Sequence, residues 1–506
     1  MTVAPNTAIR WTDIPLAMLL GIGWTILCCD WLAHFHTAPD GVFYADLIEY
    51  CNGVSTPNLL GPGTSNKRSA FAMMLPRYFS QSHQAFDGLA LGAIWGQVGI
   101  GALLYLWGVL IGGRRMGISV LLLACVAAPL TFISRVLSSY PAMSLCFVTG
   151  AFGTMWGMKR RTLFPTFIAG CGLGCTLLAD TRGIVWALPW LSGMLLSILL
   201  RGSLFNKILR LCALAIPIYY SHEVANQYYV FDAIGLESQV DIRPSLYHWL
   251  KIYPPPYQYD SNYTWGMAPI SELPNTIQFL WEQTQLEVPP SNRDDGLALG
   301  RAIAQFYWEW AILGIGLTLL SFIQQPWTLL AILCSVSPFV MTFHGGLTML
   351  EEHIRFYIQT LPGIVILWAI VWERGATLWT YSVDKLLGWT PWVHCAPLIR
   401  QPIFWVGTFV VPIVLLSQII LGSIDTPLSP QSSWRRDWDP QPSDFGDILS
   451  HYKDGRMNQG QGLEACGQSI RRLERANKPL RVTVYDDGLQ SYFRRTLEEN
   501  IHGSAE

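Results

Sequence analysis

Apolar runs of about 20 residues recur along this chain, and each is long enough to cross a bilayer as a helix. Charged residues make up 13% of the sequence, about half their usual share in a soluble protein, while 51% are hydrophobic. The pattern predicts an α-helical polytopic membrane protein with about eleven spans. The predicted spans lie near 12–32, 88–111, 117–134, 140–157, 163–180, 183–200, 206–221, 304–323, 326–343, 354–372 and 402–422.

The first apolar run is predicted to be a retained helix and not a cleaved signal peptide. Arg10 and Asp13 precede it, and no small-residue cleavage site follows it. Most of the 11 cysteines lie in or beside apolar runs, where they act as small hydrophobic side chains. No Cys/His spacing resembles a zinc site, and no basic tract suggests a nucleic-acid partner.

Basic residues orient the predicted spans, because Lys and Arg concentrate in cytoplasmic connections. They follow spans two, four, six and ten, at Arg114-Arg115, at Lys159-Arg160-Arg161, around Arg201 to Arg210, and from Arg374 to Arg400. All four connections lie on one side if the N-terminus is cytoplasmic, so this orientation is predicted.

The same orientation places two long loops, 33–87 and 222–303, and the tail from 423 onward on the extracytoplasmic side. At about Ser423 the composition changes abruptly and becomes rich in Pro, Ser and Asp. A helical pattern, a short strand and a last helix then predict a small α/β C-terminal lobe. The predicted division is a membrane domain at 1–422 and an extracytoplasmic region at 423–506. Cys51 and Cys466 both fall outside, and the sequence leaves a disulfide between them open.

Ionisable residues at the outer ends of the predicted spans are candidates for chemistry, because charge near the membrane is costly. Asp40 follows the first span, where a carboxylate re-entering water is placed to act as a general base. If its segment is helical, Tyr44 shares its face. The alternative is an amphipathic helix whose acidic residues only face water.

Three arginines, Arg135, Arg182 and Arg355, lie at outer ends on the same side as Asp40. Each taken singly also suits a side chain that reaches lipid headgroups. Together they suit a phosphate group, which arginine binds through two parallel hydrogen bonds.

Four segments resemble those of a known family, the GT-C membrane glycosyltransferases. The segment starting Asp40-Gly-Val-Phe-Tyr-Ala resembles the acidic motif after the first helix of that family, and Ser134-Arg-Val-Leu-Ser-Ser-Tyr-Pro-Ala-Met-Ser-Leu145 resembles its Ser/Ala-Arg segment. Ala179-Asp-Thr-Arg-Gly183 resembles its Thr-Lys-Gly segment, and Arg355-Phe-Tyr-Ile-Gln-Thr-Leu-Pro362 its late Arg-Tyr…Leu-Pro element. The group is similar to the dolichyl-phosphate-mannose–protein mannosyltransferases and the lipid A aminoarabinose transferases.

The resemblance implies transfer of a sugar from a polyprenyl-phosphate donor to a hydroxyl of a lipid, glycan or protein acceptor, with inversion at the anomeric carbon. The implied roles are Asp40 as general base, Arg182, Arg355 and Arg135 at the donor phosphate, and Tyr44, His353 and Tyr357 as substrate-orienting residues. No cofactor is required as far as the sequence shows. Gly41 replaces the Glu common in the family, which leaves a divalent metal open.

Two other functions compete with this one. A transporter or flippase for lipid-linked saccharides predicts charged residues near the middle of spans, whereas here they concentrate at outer ends. A ligase or polymerase with a diphosphate-linked donor depends on outer arginines and histidines and does not need Asp40.

Overall fold

The structure is a computed structural model that describes residues 9–30, 68–80, 85–124, 139–180 and 182–230, with isolated positions between 48 and 402. Spans eight to eleven are described at isolated positions or not at all. The helical residues among these positions include Leu330, Cys334 and Ile366. The predicted C-terminal lobe, Cys51 and Cys466 lie outside the described residues.

Seven helices in the described part of the chain overlap the first seven predicted spans, and residues 125–134 of the third span lie outside the described residues. In chain order they are α1 (Asp13–Asp30), α3 (Ala85–Gly112), α4 (Arg114–Ala124), α5 (Tyr140–Arg160), α6 (Leu163–Ala179), α7 (Gly183–Leu200) and α8 (Leu204–Tyr228), with a shorter α2 (Met74–Ser80) in the first long loop. A 3₁₀ turn at Ala70–Met73 precedes α2. The prediction of helical spans is confirmed over this part of the chain.

Contacts along the helices show that they alternate in direction. Gly150 and Gly153 of α5 pack against Leu173 and Ala169 of α6, so these two helices run antiparallel. Thr166 of α6 lies beside Arg210 near the start of α8, and Gly174, further along α6, packs against Ser221, further along α8. α6 and α8 are therefore parallel. Because the turns are short, successive turns lie at opposite ends of the bundle.

A small β-pair joins the two long loops that the sequence places outside. Strand β1 (Arg68–Ser69) pairs antiparallel with β2 (Tyr229–Val230), with Arg68 opposite Val230. The pair holds part of the 33–87 loop against the start of the 222–303 loop. The described parts of both loops therefore lie at the same end of the bundle, as their predicted orientation requires.

The bundle is apolar outside and carries polar groups inside. Exposed large hydrophobic side chains include Leu19, Phe164, Leu200, Leu204, Phe205 and Ile216. Buried polar ones include Gln97, Ser144, Thr154, Thr176 and Ser197. Gly88–Gly112 and Gly183–Leu200 are long and apolar enough to cross a bilayer, and Asp13–Leu27 and Leu163–Ala179 are shorter apolar helices. An apolar exterior of this kind suits contact with lipid, where interhelical polar contacts are common.

Charged side chains hold together the end of the bundle that carries the basic turns. Arg114 at the start of α4 donates through Nε to Asp13 at 2.6 Å and through Nη2 to Thr12 at 2.7 Å. The hydrogen bond to Asp13 is the main cause of a raised pKa of Arg114. This pair connects the start of α1 to the turn between α3 and α4.

Arg210, near the start of α8, is fully buried and caps a neighbouring helix. Its Nη2 donates to the carbonyl of Gly157 at 3.1 Å, and its Nε donates to the hydroxyl of Thr166 at 3.3 Å. A cation at the C-terminal end of α5 interacts favourably with the helix dipole. Arg210 thereby ties α8 to the turn between α5 and α6.

Lys159, at the C-terminal end of α5, gives a pH-dependent prediction. Its ammonium donates to the carbonyl of Leu110, and burial, with a smaller effect of Arg160, lowers the pKa of Lys159 from 10.5 to about 8. Between these two values the unfolded chain binds more protons, so stability rises with pH across that window. We expect the melting temperature of the wild type in detergent to rise relative to Lys159→Gln between pH 8 and 10. A constant difference in melting temperature between the two proteins across this pH range would contradict this expectation.

Candidate functional site

The turn between α6 and α7 brings together two opposite charges from one of the motif segments. α6 ends at Ala179 and α7 begins at Gly183, so Asp180 and Arg182 lie within a three-residue connection. A Cβ on Gly183 would come 2.7 Å from the carbonyl oxygen of Thr176. The tight approach of this turn to the last turn of α6 therefore requires glycine.

Asp180 and Arg182 form a bidentate ion pair at the start of α7. Oδ1 of Asp180 accepts from Nε of Arg182 at 2.8 Å and from its backbone N–H at 2.9 Å, and Oδ2 accepts from Nη2. The two side chains are 9% and 13% exposed. A carboxylate at a helix N-terminus is stabilised by the backbone N–H groups and the helix dipole. The guanidinium predicted to bind phosphate is thus held by a carboxylate of its own segment.

The start of α5 packs against this ion pair. Ser139 donates through Oγ to Oδ2 of Asp180 over 3.5 Å. The guanidinium carbon of Arg182 lies 5.1 Å from the centre of the Tyr140 ring, within the range of a cation–π interaction. Ser139 and Tyr140 belong to the segment that starts at Ser134. Two of the four motif segments therefore meet at one end of the bundle.

A third segment reaches the same helix through Gln359. Its Nε2 donates to Oγ of Ser144 over 3.4 Å, one turn along α5 from Tyr140. Gln359 is 1% exposed, and its Oε1 has no hydrogen-bond partner among the described residues. A buried amide oxygen without a partner is uncommon and costs stability.

The first segment is described at one residue. Ile48 is helical and fully buried, and it belongs to the hydrophobic core that also contains Tyr140 and Trp186. Asp40 and Tyr44 precede it in the chain. Ile48 thus packs into the same core as Tyr140 and Ala179, which belong to two of the other segments.

Among the predicted site residues, the structure describes Arg182. The other predicted site residues lie outside the described residues: Asp40, Tyr44, Arg135, His353, Arg355 and Tyr357. Within the described ranges no cluster of three or more His, Cys, Asp or Glu side chains could hold a metal ion.

Four residues of the described site were not among the predictions: Ser139, Tyr140, Asp180 and Gln359. A sequence signal existed for Asp180. It lies two residues from Arg182 in a turn between two apolar runs, and charges near a membrane tend to pair with each other. No comparable signal marks Gln359, because its contact joins positions 215 residues apart.

Comparisons with known proteins give a distant likeness to solved structures. No family model matches the sequence, and no curated protein matches it. Among solved structures, the chain is similar to ArnT from Cupriavidus metallidurans bound to undecaprenyl phosphate, with a TM-score of 0.43 and 12% identity. The match covers 96% of this chain and 85% of ArnT. At this identity, residue roles come from the chain's own contacts.

Proposed function

We propose that this protein is an integral-membrane glycosyltransferase that moves a sugar from a polyprenyl-phosphate donor to an acceptor hydroxyl. The reaction takes place at the extracytoplasmic face. The observation that carries the proposal is the meeting of three motif segments at one end of the bundle, through the contacts of Ser139 and Tyr140 with Asp180 and Arg182 and of Ser144 with Gln359.

The location of this end supports the extracytoplasmic assignment. Tyr140 opens α5 and Lys159 lies near its end, and a helix of this length spans about 30 Å. The site and the basic turns are therefore separated by roughly the thickness of a bilayer's hydrocarbon core. Since basic turns face the cytoplasm, the N-terminus is cytoplasmic and the site opens to the other side.

In the proposed reaction, Asp40 takes the proton of the acceptor hydroxyl as its oxygen attacks the anomeric carbon. The bond from that carbon to the phosphate oxygen breaks, and the configuration inverts. Negative charge grows on the leaving polyprenyl phosphate, and fixed cations stabilise it. Arg182 supplies one of these cations, and Arg355 and Arg135 supply the others. Tyr44, His353 and Tyr357 orient the substrates.

The positions of the buried charges favour an enzyme over a transporter. In the described helices and turns, the buried charged side chains are Asp13, Asp180 and Arg210, and Arg182, at the start of α7, is 13% exposed. Asp13 and Asp180 lie at helix ends, and Arg210 lies two turns from the start of α8. Transporters place coupling charges near the bilayer midplane, where these helices carry none.

The proposal is tested by supplying the purified full-length chain with labelled lipid-linked sugars and a membrane extract as acceptor. We expect release of polyprenyl phosphate from a monophosphate-linked donor, with the label transferred to an extract component. Consumption of a diphosphate-linked donor alone would instead identify a ligase. Movement of an unreacted lipid-linked sugar across vesicles, without release of polyprenyl phosphate, would identify a flippase.

A further inference from the structure

Asp180 holds Arg182 in the manner in which a phosphate would hold it. Its two carboxylate oxygens accept from Nε and Nη2 of the same guanidinium, and carboxylate and phosphate both match the planar fork of arginine. The ion pair is electrically neutral. A phosphate that engages this edge of Arg182 must displace the carboxylate or share the guanidinium with it.

We propose that Asp180 is a positioning residue that competes with polyprenyl phosphate for Arg182 and thereby promotes release of the product. This inference rests on the proposed function, in which Arg182 binds the phosphate of the donor.

The anchoring of the two partners decides which of them moves. Asp180 is fixed by the backbone N–H of Arg182 and by Ser139, at the point where α6 ends and α7 begins. Arg182 has a long side chain, and its guanidinium rests against the ring of Tyr140. The carboxylate therefore stays in place while the guanidinium turns between carboxylate and phosphate, guided by an aromatic face that attracts it in both positions.

The charge of the lipid phosphate changes during the reaction, and because of this change Asp180 promotes release of the product. The donor is a phosphodiester with one negative charge, whereas the released monoester carries between one and two at neutral pH, as other phosphate monoesters do. Without a competing anion, Arg182 would bind the product more tightly than the donor. Asp180 repels the phosphate and offers Arg182 an alternative partner. It therefore weakens the binding of the more highly charged product more than the binding of the singly charged donor.

A purely structural role for Asp180, in the turn before α7, predicts a different result. Asn forms the same kind of side-chain turn as Asp, and it retains an oxygen that can accept from the backbone N–H of Arg182. Asp180→Asn therefore keeps the turn and removes the charge. If shaping this turn were the whole role of Asp180, the variant would bind lipid phosphate as the wild type does.

The test is a double-mutant cycle on full-length protein in detergent, with undecaprenyl phosphate as the probe and undecaprenol as its neutral control. We expect Asp180→Asn to bind undecaprenyl phosphate about tenfold more tightly than the wild type, as removal of one nearby like charge predicts, with undecaprenol binding unchanged. In an Arg182→Gln background the same change should have little effect, because the two residues act as a pair. In sugar transfer, Asp180→Asn should show a lower kcat and stronger inhibition by undecaprenyl phosphate.

The chain supplies a matched control in Asp13, which pairs with Arg114 at 2.6 Å at the opposite end of the bundle. Asp13→Asn should leave the Kd for undecaprenyl phosphate unchanged. The inference would be overturned by an unchanged Kd of Asp180→Asn for undecaprenyl phosphate. A gain in affinity that persists undiminished in the Arg182→Gln background would also overturn it. If the wild type transfers sugar but the Asp180 and Arg182 substitutions do not couple in undecaprenyl phosphate binding, the role of Asp180 alone is refuted. If the two substitutions couple as expected but the protein releases no polyprenyl phosphate from any donor, the proposed function is refuted. The competition between Asp180 and phosphate for Arg182 then still holds.

Discussion

Replacing Asp40 with Asn is expected to lower the rate of sugar transfer by about 10²–10⁴-fold, the usual contribution of a general base. The amide keeps the size of the carboxylate but does not take up a proton at neutral pH, so the attacking hydroxyl keeps its proton. The measurement is the initial rate of polyprenyl phosphate release at saturating donor and acceptor. Binding of undecaprenyl phosphate should change little, because Asp40 acts on the acceptor.

Asp46 provides the control for this experiment. It lies in the same segment, six residues from Asp40, and in a helix these two positions point in different directions. Asp46→Asn should therefore retain most of the activity, with the same amount of protein in the membrane. Full activity of Asp40→Asn would refute the assignment of the base and favour a ligase that works through outer arginines.

A single methyl group between α5 and α6 is expected to destabilise the bundle. A Cβ on Gly172 would come 2.2 Å from the backbone N of Gly150, and two backbones in contact have no side chain that could move aside. We expect Gly172→Ala to lower the free energy of unfolding by about 1–3 kcal/mol, as overpacking of a tight interface does. Thermal unfolding in detergent, followed by tryptophan fluorescence, measures the change.

Gly23 in α1 is the matched control, because a Cβ there would meet nothing within 4 Å. Gly23→Ala should leave the melting temperature unchanged or raise it slightly, since alanine is the better helix former. Separation of α5 from α6 would also move Ser139 away from Asp180, so Gly172→Ala should lose activity as well as stability. A wild-type melting temperature for Gly172→Ala would show that α5 and α6 do not pack through these glycines.

The helices in the described part of the chain were predictable because lipid imposes a simple rule on sequence. A segment that crosses the bilayer must be apolar over about 20 residues and must satisfy its backbone hydrogen bonds internally. The predicted bounds at 163–180 and 183–200 accordingly differ by at most one residue from α6 and α7. The span predicted at 206–221 is longer in the structure, Leu204–Tyr228, because polar residues such as His222 and Glu223 continue the helix beyond the apolar run.

The candidate site was predictable in its segments but not in its contacts. Motif order and charge placed Arg182 at an outer end, and that part needed no tertiary information. The ion pair with Asp180 is local to the turn, but the position of the guanidinium over Tyr140 depends on how α5, α6 and α7 pack. Asp40 and Arg355, assigned to the base and the phosphate, stay predictions of the sequence.

The sequence by itself determined the succession of apolar helices and showed which end of each helix carries charge. Both features follow from local composition and from the cost of burying charge in lipid. Only the tertiary structure decided which helix ends meet. The close approach of Gly150 to Gly172, the contact of Arg182 with Tyr140 and the contact of Gln359 with Ser144 arise from packing between segments. Nothing in the composition of a single helix encodes its neighbour, and the chemistry of this end of the bundle depends on those neighbours.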